Sequence, residues 1–291
     1  MEFFTTAEVA RYLRIKERKI YELVRERQIP CSRVTGKLLF PRQAVDLWVM
    51  NHLQGDEPLT PPAPPVYAGS QDPLIDWALR EARTELAQLC DGSGDGVQRL
   101  LNGRAQLVGL HVVDPDSGRY NDPLRLGVGG LRDLVMIRWA ERRQGLVLAP
   151  GNPLGIRTLA DIADRPCRVV MRQPGAGADT LLRSLLAAAG IQLERLTRTP
   201  GVALTEDDLA VEIQADRADC GLAVEAASRR HGLEFIPLAT ECFDLAMRRR
   251  TYFEPPLQRL FSFTRTARFL ERARAMGGYQ VGDCGSVVYN A

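Results

Sequence analysis

Residues 5–49, TTAEVARYLRIKERKIYELVRERQIPCSRVTGKLLFPRQAVDLWV, read as one small module of three helices and a hairpin. Thr5 caps a helix start, and Glu8 three residues later returns a bond to the cap amide. Val9, Ala10 and Leu13 then fall on one helical face. After a short turn at Ile15, a second helix runs from Glu17 to Arg27 with Ile20, Leu23 and Val24 inward. Pro30 ends that run. Arg33 to Phe40 reads as two short strands around a turn at Gly36. Pro41 starts a last helix, whose apolar stripe is Ala44, Val45, Trp48 and Val49.

Helix, tight turn, helix and hairpin is the outline of a winged helix-turn-helix. The stretch resembles the excisionase/MerR-like winged helix family. The resemblance is carried by the Thr5-x-x-Glu8-Val9-Ala10 start, Ile20-Tyr21-x-Leu23-Val24, the Ile29-Pro30 exit, the Arg33-Val34-x-Gly36-Lys37 hairpin and Phe40-Pro41-Arg42. One departure is Arg27, where the family often has a capping Gly; a left-handed Arg costs about 1 kcal/mol or is avoided by a longer turn. The resemblance implies double-stranded DNA as partner. Lys16, Arg18 and Lys19 then face a major groove from the start of the second helix, and Arg25 lies further along it. Arg33 and Lys37 flank the wing turn and reach a phosphate or the minor groove. One such domain offers a small interface, so a homodimer on paired half-sites is expected. The competing reading is of ordinary surface charge on a module that docks a protein.

Length and composition set the outer bounds. A chain of 291 residues accommodates two domains. The net charge is only +2, yet residues 1–54 hold about ten Lys/Arg against about six Asp/Glu, so the front is the basic part. No apolar run approaches the roughly 18 residues that span a bilayer, and the N-terminus lacks the pattern of a secretory signal. Cys31, Cys90, Cys167, Cys220, Cys242 and Cys284 are scattered without a C-x-x-C, which fits reduced thiols in a cytoplasm. Three His give little support for a metal site.

Three segments are expected: residues 1–54 as the DNA-binding domain, 55–65 as a linker, and 66–291 as the body. The linker reads GDEPLTPPAPP, semi-rigid where its prolines cluster. In the body, strand-like runs at Val66–Ala68, Ala105–Leu110, Leu146–Leu148 and Val169–Met171 alternate with helical ones at Asp72–Leu89, Gly96–Asn102 and Thr180–Ala189. That alternation predicts an α/β fold with mostly parallel strands. Three strand-to-helix junctions are small and polar: Ala68–Asp72, Asp91–Gly96 and Gln173–Thr180. Small residues let backbone amides approach a ligand, and helix N-termini favour anions. None matches a phosphate-binding P-loop or a dinucleotide fingerprint.

These junctions, with Val108–Asp114, Tyr120-Asn121, Arg143–Leu154, Arg172–Ala178 and Gly221–Glu225, make the body resemble a type 2 periplasmic-binding-protein-like domain, similar to molybdate/tungstate-binding proteins. The resemblance implies two lobes around a cleft, lobe one at about 66–152 and 239–291 and lobe two at about 153–238. By position, Ser70, Gln71, Ser93 and Gly94 supply donors from lobe one, and Gly175, Ala176, Gly177 and Ala178 supply them from lobe two. Relatives often carry Ser or Thr where this chain has Ala176 and Ala178, which leaves an organic acid open as ligand. His111 and Asn121 sit where a strand opens toward the cleft, His111 being either a donor or a structural His. Glu225 either faces the cleft or caps a helix; in the cleft it needs Arg172 or another base to offset its charge.

Catalysis has less support. There is no G-x-S-x-G and no H-E-x-x-H, and no His lies near Cys90, Ser93, Asp91 and Asp95 in sequence. The Arg-rich stretches 138–143 and 248–250 read as solvated faces first and as DNA or dimer contacts second. The expectation is a cytoplasmic one-component regulator that is no enzyme and takes no catalytic cofactor, with molybdate or tungstate as effector. The alternatives are the same architecture sensing an organic acid or other metabolite, and an α/β enzyme with a DNA-targeting module.

Overall fold

A computed structural model describes residues 3–34, 36–51, 62–114 and 117–291. The chain forms two compact units, one within residues 1–61 together with 130–132 and the other of residues 62–129 and 133–291. Residues 55–61 of the expected linker lie outside the described residues.

In the first unit, strand β1 (Phe3–Phe4) precedes helix α1 (Thr6–Tyr12), and Thr5 and Glu8 form the expected reciprocal cap. Helix α2 (Glu17–Arg25) ends two residues earlier than the sequence indicated. The chain exits through Arg27 at φ 55°, with Gln28 N–H donating to the Leu23 carbonyl at 2.8 Å. Arg therefore occupies the left-handed position that glycine suits best. Strands β2 (Ser32–Val34) and β3 (Lys37–Pro41) make the wing, and β1 pairs with the other edge of β3. Pro41 closes this strand rather than opening the last helix; α3 spans Arg42–Asn51. Val9, Ala10, Ile20, Leu23, Ile29, Phe40 and Val45 form the core, flanked by Leu13, Val24 and Trp48.

The second unit runs β4 (Val66–Gly69), α4 (Pro73–Glu81), β5 (Ala87–Leu89), α5 (Ser93–Leu101), β6 (Leu107–Leu110), β7 (Leu134–Leu148), α6 (Leu159–Asp164), β8 (Arg168–Arg172) and α7 (Gly177–Ala188). It continues with β9 (Thr197–Ala203), α8 (Glu206–Gln214), β10 (Cys220–Val224), α9 (Glu225–Arg230), β11 (Glu234–Arg248), α10 (Arg249–Tyr252), α11 (Pro255–Phe263), α12 (Ala267–Met276), β12 (Tyr279–Gln280) and β13 (Val287–Asn290). The strand order is β5-β4-β6-β11-β7-β10-β8-β9, with β12 and β13 also on β7. The architecture is α/β, but the sheet is mixed rather than mostly parallel. Pairs β4·β5, β4·β6, β8·β9 and β8·β10 are parallel, whereas everything touching β7 or β11 is antiparallel.

The reason lies in β7 and β11, which pair from Leu134↔Arg248 to Leu148↔Glu234. At one end Val135, Ile137, Trp139, Leu245 and Met247 join a core with Tyr67, Leu74, Leu107 and Phe269. At the other end Leu146 and Leu148 join Val169, Leu182 and Leu222 in a second core. Two lobes thus share two crossing strands, and the division between cores falls within those strands. Ala226 and Ala227 of α9 pack into the first core.

The structure departs from the sequence reading at two further points. The helix over 72–89 stops at Glu81, because Arg83 and Glu85 take left-handed φ of 49° and 62° and release the chain into β5. The Arg-rich stretches are not simple solvated faces. Arg142 is buried, Arg138 lies 2.6 Å from Asp244, and Arg143 lies 2.6 Å from Glu225. Arg248 pairs with Asp133, and Arg249 donates to Asn290. Arg142 on the central strand β7 is fully buried, so its charge must be matched. Among the described residues no helix is long and apolar enough to cross a membrane.

Candidate ligand cleft and nucleic-acid interface

The lobe-one wall of the cleft is built where β4 and β6 end and α4 and α5 begin. Gly69 leaves β4 at φ 94°, Ser70 N–H donates to the Gly109 carbonyl at 2.9 Å, and Gly92 N–H donates to the Gly69 carbonyl at 3.0 Å. A Cβ on Gly96 would overlap the Gly69 backbone, so only glycine lets α5 sit this close to β4. The approach brings Ser70 Oγ within 2.7 Å of Ser93 Oγ, and Ser93 Oγ accepts from His111 N–H at 3.3 Å. The lobe-two wall comes from the β8–α7 junction. A Cβ on Gly177 would overlap the His111 ring, so this glycine lets the two walls meet.

Of the residues expected at the site, Ser70, Gln71, His111, Ala176, Gly177 and Ala178 line this cleft together. Ser93 stands behind Ser70. Gly94 lies within the first turn of α5, and Gly175 O lies across from Gly92. Asn121 and Glu225 are outside the lining. Asn121 is buried in the scaffold, accepting from Val112 N–H at 2.8 Å and donating to Asp244 at 2.7 Å. Glu225 opens α9 and is paired with Arg143 and Arg229.

Residues that sequence reasoning did not assign complete the lining: Cys90, Gly92, Arg172, Gln173, Leu204 and Glu206. Arg172 pairs with Glu206 at 2.7 Å, not with Glu225, and also donates to the Ala203 and Leu204 carbonyls. Glu206 accepts in addition from Val224 N–H at 3.1 Å. The one Arg of the lining is therefore neutralised by its neighbour. Burial pushes the Cys90 thiol up to about 12, so it carries no charge at neutral pH. What remains for a ligand is hydroxyl, amide and imidazole.

Behind the wall runs a buried polar chain. Asp72 caps α4, accepting from Ile75 N–H at 2.8 Å, and also accepts from Trp139, Arg142 and Tyr279. Arg142 donates on to Glu241, which lies 2.9 Å from His111 Nδ1 and accepts from Gln144 at 2.9 Å. Burial by itself would raise the Glu241 carboxyl; Arg142, His111 and Gln144 outweigh it and hold it at about 2. The sequence carries no local signal for this chain of contacts, since His111 and Glu241 are 130 positions apart.

In the first unit, Lys16, Arg18, Lys19 and Arg25 are all exposed at the start of α2 or along it, and Arg33 and Lys37 are exposed on the two wing strands. Arg18 and Lys19 hold Glu22 loosely, at 3.5 and 3.3 Å. Exposed ion pairs of this kind contribute little stability, so the cations are available to another anion. Tyr21 is exposed on the same helix and was not assigned from sequence.

With this geometry in view, residues 77–265 match the family described as the PBP superfamily domain, and residues 3–52 match a helix-turn-helix domain. The uncharacterized protein YvgK of Bacillus subtilis (strain 168) is 21% identical over 98% of this chain and 97% of its own length. A candidate phosphate ABC transporter substrate-binding protein with bound phosphate, from Clostridium perfringens, superposes with a TM-score of 0.54 at 13% identity, covering 72% of this chain and 96% of that one. The tungstate ABC transporter structure from Geobacter sulfurreducens gives 0.50 at 12% identity, covering 71% and 96%. At such identities these two structures establish the fold and nothing finer.

Proposed function

The chain belongs to the PBP superfamily domain family, and on that footing we propose that it is a ligand-responsive DNA-binding transcriptional regulator. The carrying observation is a cleft whose lining cation is already neutralised, on the same chain as a winged helix with exposed cations. Ser70, the start of α7 and His111 hold a small oxyanion by hydrogen bonds, with molybdate or tungstate as the leading effector. Fixed N–H and O–H donors suit a compact anion, whose charge they meet with little reorganisation. Lys16, Arg18 and Lys19 contact DNA in the major groove while Arg33 and Lys37 reach from the wing. Two copies on paired half-sites supply a workable interface, and the protein acts in the cytoplasm, where the DNA is.

An organic acid is the second reading, and one feature favours it. Glu206 lines the cleft, and Gln71 Oε1 and Gln173 Oε1 are buried without a hydrogen-bond partner. Such acceptors suit a ligand with hydroxyl donors. Calorimetric titration with molybdate, tungstate, sulfate, phosphate and small hydroxy acids decides between the two. Saturable molybdate or tungstate binding over sulfate, weakened tenfold or more in Ser70→Ala, is the expected result. Binding of hydroxy acids alone removes the oxyanion assignment.

A further inference from the structure

His111 is the one lining residue with a titratable ring and an unused edge. Nδ1 lies 2.9 Å from Glu241, and the ring stacks on Phe243 with centroids 5.6 Å apart. Gly177 closes against the ring. Nε2 makes no hydrogen bond to the described residues. Glu241 already accepts from Arg142 and Gln144, and a carboxylate so placed takes the proton-bearing Nδ1 edge of the ring. A neutral ring would then turn its Nε2 lone pair toward the cleft and oppose a ligand that has only acceptors. An imidazolium turns an N–H there instead.

The charged groups around the ring come from behind it and from both walls of the cleft. Behind the ring stand Asp72, Arg142 and Glu241, two carboxylates against one guanidinium, with neutral Gln144 completing the group. Across the cleft Arg172 is matched by Glu206. Burial holds the Cys90 thiol and the Tyr120 phenol in their protonated forms. Asp76, bonded to Gln71, is the remaining carboxylate on that wall. The ring thus faces one negative charge in excess on its Glu241 side.

We propose that the effector is an oxyanion with no proton of its own, and that it binds together with one proton taken up at Nε2 of His111, Glu241 being the positioning residue. This rests on the oxyanion reading of the cleft given above. An N–H added at Nε2 supplies a charged donor to the anion, while the Glu241 contact keeps the ring in place.

The test is calorimetric titration of the full-length protein with molybdate at pH 6.5, 7.5 and 8.5. The pH 8.5 titration is repeated in two buffers of different ionisation enthalpy. The expected result is a Kd that weakens about tenfold per pH unit above the histidine range, with about one proton absorbed per anion at pH 8.5. The His111→Gln variant keeps a donor but does not titrate, and its Kd is expected to be flat over this range. Glu241→Gln is expected to move the pH profile to lower pH. A wild-type Kd independent of pH and buffer overturns the proposal even where molybdate binds, as does an unchanged slope in His111→Gln. If molybdate, tungstate and sulfate all fail to bind at every pH, the oxyanion reading and the proposal fall together.

Discussion

Asp76 shows how one residue beside the cleft links it to stability. Burial raises its carboxyl to about 6; the Gln71 bond works against this, while Asp72 and Asp207 add to it. An unfolded Asp titrates near 3.9, so the folded state holds the proton more tightly. The folded form gains from this fully below about pH 4, and the gain is lost as pH rises through 6. At neutral pH the ionised carboxylate is a standing penalty, of order 1–2 kcal/mol after allowing for solvent screening. Asp76→Asn should therefore raise the melting temperature at pH 7.5 and leave it nearly unchanged at pH 4. An equal gain at both pH values would sink this account. Ser70, His111 and Gly177 could be read as cleft candidates because each follows a strand at a junction where small and polar residues collect. Asp76 was not, because its i,i+1 neighbours Ile75 and Trp77 make it look like an ordinary helical surface position.

Among the elements, α2 is the one whose end goes against local preference. Its exit needs a left-handed residue, and Arg27 fills the place at φ 55°. Arg27→Gly should stabilise the first unit by about 0.5–1 kcal/mol, part of the gain being offset by the greater freedom of glycine in the unfolded chain. Thermal unfolding monitored on the first unit checks this, and a loss of stability would mean that the Arg27 side chain contributes more than its backbone costs. The helices of this unit were readable because caps and apolar periodicity act over a few residues. The crossing strands were not: β7 carries Arg138, Glu141, Arg142, Arg143 and Gln144, and of these Arg142 and Gln144 are buried against Asp72 and Glu241, which lie far off in the sequence. The segment after α4 was misread for a related reason, since Leu86 and Leu89 continue a helical spacing that two left-handed residues interrupt.

At the level of the full chain, the proposed regulation is a coupling free energy between effector and DNA. Whatever factor the effector applies to DNA affinity, DNA must apply to effector affinity. Fluorescence anisotropy with labelled operator and calorimetry with and without operator should give the same factor. Agreement on a factor of one would leave the two units as independent binders on one chain. The DNA term itself should fall with salt. Arg18→Ala with Lys19→Ala should reduce the slope of log affinity against log salt by about one for each phosphate that is no longer neutralised.

Local residue patterns were enough to specify the winged helix, the α/β character of the body and the three small, polar junctions that line the cleft. Each depends on caps, periodicity and turn residues within a few positions of one another. The electrostatics of the cleft came from long-range packing instead. Arg172 meets Glu206 at a separation of 34 positions, and His111 meets Glu241 at 130. Whether a buried charge is free or matched depends on which distant strand lies beside it, and no short stretch of chain encodes that pairing.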